Sequence, residues 1–152
     1  MGKIKAFLDT NVLMDILQDG RHNTPYSRVI FEAIWSGKIE AVLTTQSLLD
    51  AAYIAQKAGM KKAFFETVDL CCNRINIDQI NVFDIHSACR NYTGDFEDDS
   101  LYYRAVDTFC DCFVTADKDF RRKYEKNDKD LRFVSPKEFA ELLLKKNSVT
   151  PS

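Results

Sequence analysis

Aspartate is the residue type whose placement carries the most chemical meaning in this chain. Asp9 closes a short apolar run at residues 4–8 and is followed by Thr10 and Asn11. Asp50 lies early in a helix-like stretch that follows a second apolar run, 41–44. Asp95, Asp98 and Asp99 gather just before and at the start of another helix-like stretch, and Asp117 and Asp119 follow the run 112–115. Each has an ordinary explanation taken singly: Asp98 and Asp99 offset a helix dipole, Asp117 caps a helix, Asp50 is solvated, Asp9 ends its strand. Together they ask for more. Carboxylates brought to one place repel one another and raise each other's pKa, so a fold that collects them needs a compensating cation. Oxygen donors with no partnering thiol or imidazole suit Mg²⁺ or Mn²⁺, and a bound cation recruits phosphate.

For this to work, the chain must bring those positions to one end of a sheet. Apolar runs at 4–8, 41–44, 80–85, 112–115 and 131–134 read as strands. Between them lie helical patterns. Residues 12–17 show helical spacing, broken by Asp19-Gly20. Asn23 and Thr24 before Pro25 look like an N-cap, and Gly37 ends that helix. Thr45 is expected to cap a helix to about Ala58 that buries Leu48, Leu49, Ala52 and Tyr53. Residues 61–74 form another, with Phe64, Phe65, Val68 and Cys72 recurring at helical intervals. A short helix is expected at 87–90, one opening at Asp98, one at 117–124, and a terminal one capped by Ser135 and started by Pro136, through about Leu144. Strands alternating with helices predict an α/β fold: a three-layer α/β/α sandwich around a parallel sheet of four to five strands, with right-handed crossovers. One domain is expected over 1–147 and a frayed tail over 148–152. In such sheets ligands bind beyond the carboxyl ends of the strands, which is where the aspartates fall.

Composition narrows the class without choosing a partner. A formal charge of −2 supplies no basic signature for nucleic acid, yet cations held by carboxylates would supply the missing attraction. The five cysteines are odd in number and contain no Cys-x-x-Cys, and Cys71 and Cys72 are adjacent. Reduced thiols in a cytoplasmic protein are expected rather than a disulfide framework or structural zinc. His22 and His86 sit in no metal-ligand spacing and read as structural or surface residues. Asp9 interrupts the first apolar run too early for a signal peptide, Ala6 replaces the hydroxyl residue of a myristoylation signal, and no stretch is long enough to span a membrane.

Three segments, in order, resemble the PIN domain family of nucleases, which includes the VapC-type toxins: Phe7-Leu8-Asp9-Thr10-Asn11-Val12, Asp95-Phe96-Glu97-Asp98, and Val114-Thr115-Ala116-Asp117-Lys118-Asp119-Phe120. The resemblance runs from about Ile4 to Leu144. It implies an acidic quartet, metal-dependent cleavage of RNA, and a sheet whose first strand is central. Asp9 matches the first acid, Asp98 the third and Asp117 the fourth, while Asn11 and Thr115 match positions that orient the acids. The second acid, usually glutamate, is matched by Asp50, whose shorter arm would reach metal through water. Asp99 stands where the family prefers a small apolar residue, so it either joins the cluster or faces solvent. Asp95 and Asp119 stand beside the quartet as supporting acids.

Read this way, the chain is a metal-dependent endoribonuclease with RNA as substrate and the toxin of a toxin–antitoxin pair as one role. An antitoxin protein and a second copy of the chain are its expected partners. Two ions about 4 Å apart activate water and stabilise the leaving oxygen with no nucleophilic side chain. Arg121 and Arg122, directly after Asp119, are the expected RNA-binding residues, with Lys57, Lys61, Lys62 and Lys123 as further candidates against the alternative of a solvated helix face. Tyr53, Met60, Phe64 and Phe65 are the candidates for a surface shared between two copies. A receiver-like phospho-acceptor domain fits less well, because Asp9 has no adjacent acid. A haloacid-dehalogenase-like phosphatase would need aspartate at Asn11. The remaining alternative is a PIN-like module that binds RNA or protein without cutting.

Overall fold

The computed structural model describes residues 2–127 and 130–148, without the side chains of 147 and 148. Five strands form one all-parallel sheet: β1 (Lys5–Leu8), β2 (Glu40–Thr44), β3 (Asn76–Asp78), β4 (Cys112–Val114) and β5 (Arg132–Val134), in the order β3-β2-β1-β4-β5. The first strand is therefore central. Phe7 pairs with Val42 on one side and Phe113 on the other. Among the described residues, the helices are α1 (Thr10–Leu17), α2 (Thr24–Trp35), α3 (Thr45–Lys57), α4 (Lys61–Arg74), α5 (Val82–Arg90), α6 (Phe96–Asp107), α7 (Lys118–Tyr124) and α8 (Pro136–Ser148).

Strand periodicity sorts the helices into two layers, because neighbouring side chains on a strand point to opposite faces. Ala6 and Leu8, Ala41 and Leu43, and Cys112 and Val114 face one side. They pack with Val12, Leu13, Ile30, Ala51, Phe64 and Phe139 from α1, α2, α3, α4 and α8. Phe7, Val42, Phe113 and Phe133 face the other side and meet Tyr102 and Ala105 of α6 and Phe120 and Tyr124 of α7. Aromatic stacking fills that second core: the Phe7 and Phe113 rings lie 5.1 Å apart and those of Tyr102 and Tyr124 4.6 Å. A three-layer sandwich follows, with the chain reversing its direction of growth across the sheet between β1 and β4.

Several sequence expectations are corrected at the level of elements. The apolar run 80–85 is not the third strand. That strand is Asn76–Asp78, and residues 82–90 form α5 because the Asn81 side chain accepts from the Phe83 and Asp84 amides while Asp84 accepts from the Asn81 amide. This reciprocal capping box outweighs the β-propensity of isoleucine and valine. The helix expected to open at Asp98 begins at Phe96, capped by Asp95. Thr44, rather than Thr45, caps α3 by accepting from the Ser47 amide. Helix α3 turns its small residues inward: Ser47, Ala51 and Ala55 are buried, while Leu49 and Tyr53 are 66% and 60% exposed. On α4 the inward residues are Phe64 and Cys71, with Phe65 and Cys72 outside. Helix α8 continues to Ser148, past the expected end near Leu144; residues 149–152 of the expected tail lie outside the described residues.

Candidate functional site

Two features of the topology bring acidic side chains to one place. Asp9 and Asp117 follow the carboxyl ends of β1 and β4, the adjacent strands at which the chain reverses across the sheet. Helix α6 runs back against the strands, so its first turn, with Asp95 and Asp98, lies at that same end. The Asp9 amide donates to the Val114 carbonyl at 3.1 Å, fixing the two strand ends together.

Thr115 links the Asp9 carboxylate to the backbone of Asp117. Its hydroxyl donates to Asp9 Oδ2 at 2.8 Å and accepts from the Asp117 amide at 3.0 Å. Asp117 in turn caps α7, its Oδ1 accepting from the Asp119 and Phe120 amides, each at 3.0 Å, and Oδ2 takes no part in the cap. Asp95 caps α6, its Oδ1 accepting from the Asp98 amide at 2.9 Å. Both caps occupy orphan amides at a helix start and fix where the neighbouring acids stand.

The charges of this group act on one another. Burial raises the Asp9 pKa; hydrogen bonds from Thr115 and the Thr10 backbone oppose the rise, and the charges of Asp117 and Asp15 add to it. Partial burial, then the charges of Asp95 and Asp117, push Asp98 up to about 6; Lys123 opposes, and Asp9 adds to the rise. Asp9, Asp98 and Asp117 thus form one electrostatic group, with Asp95 at its edge.

Other expected members stand elsewhere. Asp50 is half-buried in the second turn of α3, where its Oδ1 accepts from Gln46 at 3.2 Å, and it is not among the main charges felt by Asp9 or Asp98. Asp99 neither joins the group nor faces solvent. It is fully buried and accepts from the Thr93 amide at 2.9 Å, the Thr93 hydroxyl and the Tyr124 hydroxyl. Burial alone would raise its pKa, but those hydrogen bonds outweigh it and hold the carboxyl below the ordinary range. Asn11 does not bond to the acids: its Oδ1 accepts from Arg21. Asp119 is 92% exposed at its side chain and pairs with Arg122 at 3.5 Å. Arg121 pairs with Glu125 at 2.9 Å and Glu138 at 2.7 Å.

Two neighbours escaped the sequence reading. Asp15, 3% exposed, adds its charge to Asp9. Arg21 pairs with Asp15. Lys123, already a phosphate-contact candidate by sequence, acts on Asp98. Helical spacing places Asp15 on α1, but only the fold shows that it points inward. No periodic signal ties Arg21 to it.

The donor set fits a hard divalent ion in kind, being carboxylate oxygen throughout. Among the described residues no three His, Cys, Asp or Glu side chains close into a ready cage. Mg²⁺ does not require one, because it keeps several waters and takes one or two carboxylates together with substrate phosphate.

A family model described as "PIN domain" matches residues 5–119. Ribonuclease VapC1 of Aquifex aeolicus (strain VF5) is 24% identical over 146 residues, 93% of this chain and 96% of that protein. Among solved structures, Mycobacterium tuberculosis VapC20, a sarcin-ricin loop cleaving toxin, superposes with a TM-score of 0.63 at 11% identity, covering 78% of this chain and 95% of its own. VapBC2 of Rickettsia felis, bound to a DNA fragment from their promoter, gives 0.62 at 13% identity, covering 87% and 98%. At these identities the structural likeness speaks to fold alone.

Proposed function

We propose, from the premise that this chain belongs to the PIN domain family, that it is a divalent-metal-dependent endoribonuclease acting as the toxin of a toxin–antitoxin pair. The observation that carries the reading is the Thr115 bridge: one hydroxyl holds Asp9 and positions Asp117 where the chain reverses across the sheet, with Asp98 inside the same electrostatic group. A fold gains nothing in stability by collecting these charges, since the arrangement pushes Asp98 up to about 6. A relative named as a ribonuclease supports the substrate class.

Asp9, Asp98 and Asp117 would hold Mg²⁺ or Mn²⁺. When bound, the ion supplies a water activated at neutral pH and neutralises charge on the leaving oxygen. The protein supplies placement. Thr115 fixes the Asp9 rotamer by donating to Oδ2. The α7 cap holds Asp117 Oδ1, leaving Oδ2 for the ion, and Asp95 pins the backbone of Asp98. Asp50, whose Oδ1 accepts from Gln46, would reach the ion only through water. Arg122, Asp119 and Lys123 line the rim on the α7 side.

The test is cleavage of mixed single-stranded RNAs with Mn²⁺ or Mg²⁺, arrest by chelator and restoration by added ion. Activity in excess chelator, or none with any divalent ion, defeats the proposal. A second reading, a PIN module that binds RNA or protein without cutting, draws on Asp50 standing in place of glutamate and apart from the other acids; binding without cleavage would select it. The toxin role carries with it a protein antitoxin as partner, and a small reading frame beside this gene would strengthen that assignment. Tyr53 and Phe65, 60% and 53% exposed, together with half-buried Met60, form the surface proposed for a second copy; Phe64 is buried and cannot contribute. Sedimentation at micromolar concentration that gives only monomer removes that pairing.

A further inference from the structure

We infer that Arg21 is the residue that grips the RNA backbone beside the cleaved bond, held in place for that task by the buried carboxylate of Asp15. The inference rests on the ribonuclease reading above and adds to it a specific substrate contact.

Arg21 lies in the turn between α1 and α2, and its side chain folds back along α1 to Asn11, in the first turn after Asp9. Its Nε donates to Asp15 Oδ1 at 2.9 Å, its Nη1 to Gln18 Oε1 at 2.8 Å, and its Nη2 to Asn11 Oδ1 at 3.3 Å. Asn11 is exposed, two residues beyond Asp9, so the guanidinium stands to the side of the acidic group on the α1 face, outside the main charges felt by Asp9 and Asp98. Asp15 is itself fixed. It is 3% exposed, and its Oδ2 accepts from Ser27, a fully buried hydroxyl on α2. The Thr24 hydroxyl closes the same turn on the Asp15 carbonyl at 2.8 Å.

Three features favour a phosphate contact. A guanidinium carries five N–H donors in a planar fork. The bonds to Asp15, Gln18 and Asn11 leave donors on both terminal nitrogens, and the side chain keeps 35% of its surface open to solvent. Second, the fork is already ordered, so little rotamer entropy is lost when an anion arrives. Third, Arg21 is ordered by a buried carboxylate, whereas Arg121 pairs with two half-exposed glutamates and Arg122, 78% exposed, has only the exposed Asp119 beside it. A polyanion approaching the repelling group of Asp9, Asp98 and Asp117 needs a cation at its margin. Arg21 meets that need from the layer of α1 and α2.

A purely structural role, as counter-ion to Asp15, makes a different prediction, and a double replacement separates the two. RNA binding is read by fluorescence anisotropy with a labelled single-stranded decamer across a salt series, in an Asp98→Asn background that suppresses cleavage. Arg21→Gln should weaken binding about tenfold, as loss of a charged hydrogen bond does. It should also flatten the slope of log K against log salt by about 0.7, one phosphate contact on a single strand. Arg21→Lys should keep the slope and lose part of the affinity. In the Asp15→Asn, Arg21→Gln pair no buried charge is left unpaired, yet the binding defect should persist. In the cleaving protein, Arg21→Gln should raise KM more than it lowers kcat. If the double variant binds with the parent affinity and slope, Arg21 is only the partner of Asp15 and the inference is wrong, while the ribonuclease reading stands. An Arg21→Gln protein with unchanged slope and KM is equally decisive against it. A parent that neither binds nor cuts RNA overturns the ribonuclease reading and this contact with it.

Discussion

Replacing Asp98 by asparagine in the metal-free protein should raise stability, and the gain should depend on pH in a defined way. Asp98 ionises at about 6 in the fold against 3.8 when unperturbed. Below pH 3.8 the group is protonated in both folded and unfolded chains, so its carboxylate costs nothing. As pH rises from about 4 to 6 the unfolded chain releases its proton first, and the folded state falls behind. Above the folded pKa the full penalty is present. Each tenfold difference in acidity corresponds to 1.36 kcal/mol, which sets a ceiling of about 3 kcal/mol. Asp98 is only partly buried, so solvent screening reduces this to about 1–2 kcal/mol. The positive end of α6 acts in the opposite direction by up to about 1 kcal/mol, which leaves a gain of about 1 kcal/mol at most. For a chain of this size the expected gain in Tm is roughly 2–4 °C. Thermal unfolding of parent and Asp98→Asn in chelator, from pH 4 to 8, measures it: the two curves should diverge between pH 4 and 6 and run parallel above. A difference that stays flat across that interval, or parent stability that rises through it relative to the variant, would show that the three carboxylates do not share one field.

Asp50→Glu should match or exceed the parent cleavage rate if reach limits the second acid, while Asp50→Asn and Asp50→Ala should each lose most of it, about a hundredfold for a misplaced metal ligand; parent-like rates in both would make Asp50 an ordinary helix residue. Tyr124→Phe removes a donor from the fully buried Asp99 carboxylate and should lower stability by about 1.5–3 kcal/mol by denaturant titration, with an unchanged midpoint marking the bond as unimportant. Phe109 has a φ of 55° and is 88% exposed, so Phe109→Gly should be neutral or stabilising by up to about 1 kcal/mol; a clear loss of Tm would mean that the ring packs on something in solution.

Much of the site was readable because it depends on short-range chemistry. An apolar run that stops at Asp9, and another that leads into Thr115-Ala116-Asp117, mark two strand ends without knowledge of the fold. What could not be read depends on which way a side chain turns. Asp98 and Asp99 are neighbours in sequence, yet helical rotation sends one to the acidic group and the other to Tyr124 and Thr93. Helix α3 buries serine and alanine rather than leucine and tyrosine, because it packs closely on α1, and close packing selects small residues in a way that hydrophobicity does not reveal. The misplaced third strand was avoidable: Asn81-x-x-Asp84 is the signature of a helix start, and it stood inside the apolar run. Arg121 illustrates the remaining gap, since its partner Glu138 lies on α8, seventeen positions away, where no local rule links the two.

The most direct test of the account is single-turnover cleavage of a labelled RNA as a function of Mn²⁺ concentration by the parent and by Asp9→Asn, Asp98→Asn and Asp117→Asn, each shown to be folded. The account predicts metal-dependent cleavage by the parent and a loss of at least about a hundredfold in each variant, with no activity in chelator. Cleavage at the parent rate by folded Asp9→Asn and Asp98→Asn proteins, or a parent rate indifferent to metal, would contradict the claim that these carboxylates hold the ion on which the reaction depends.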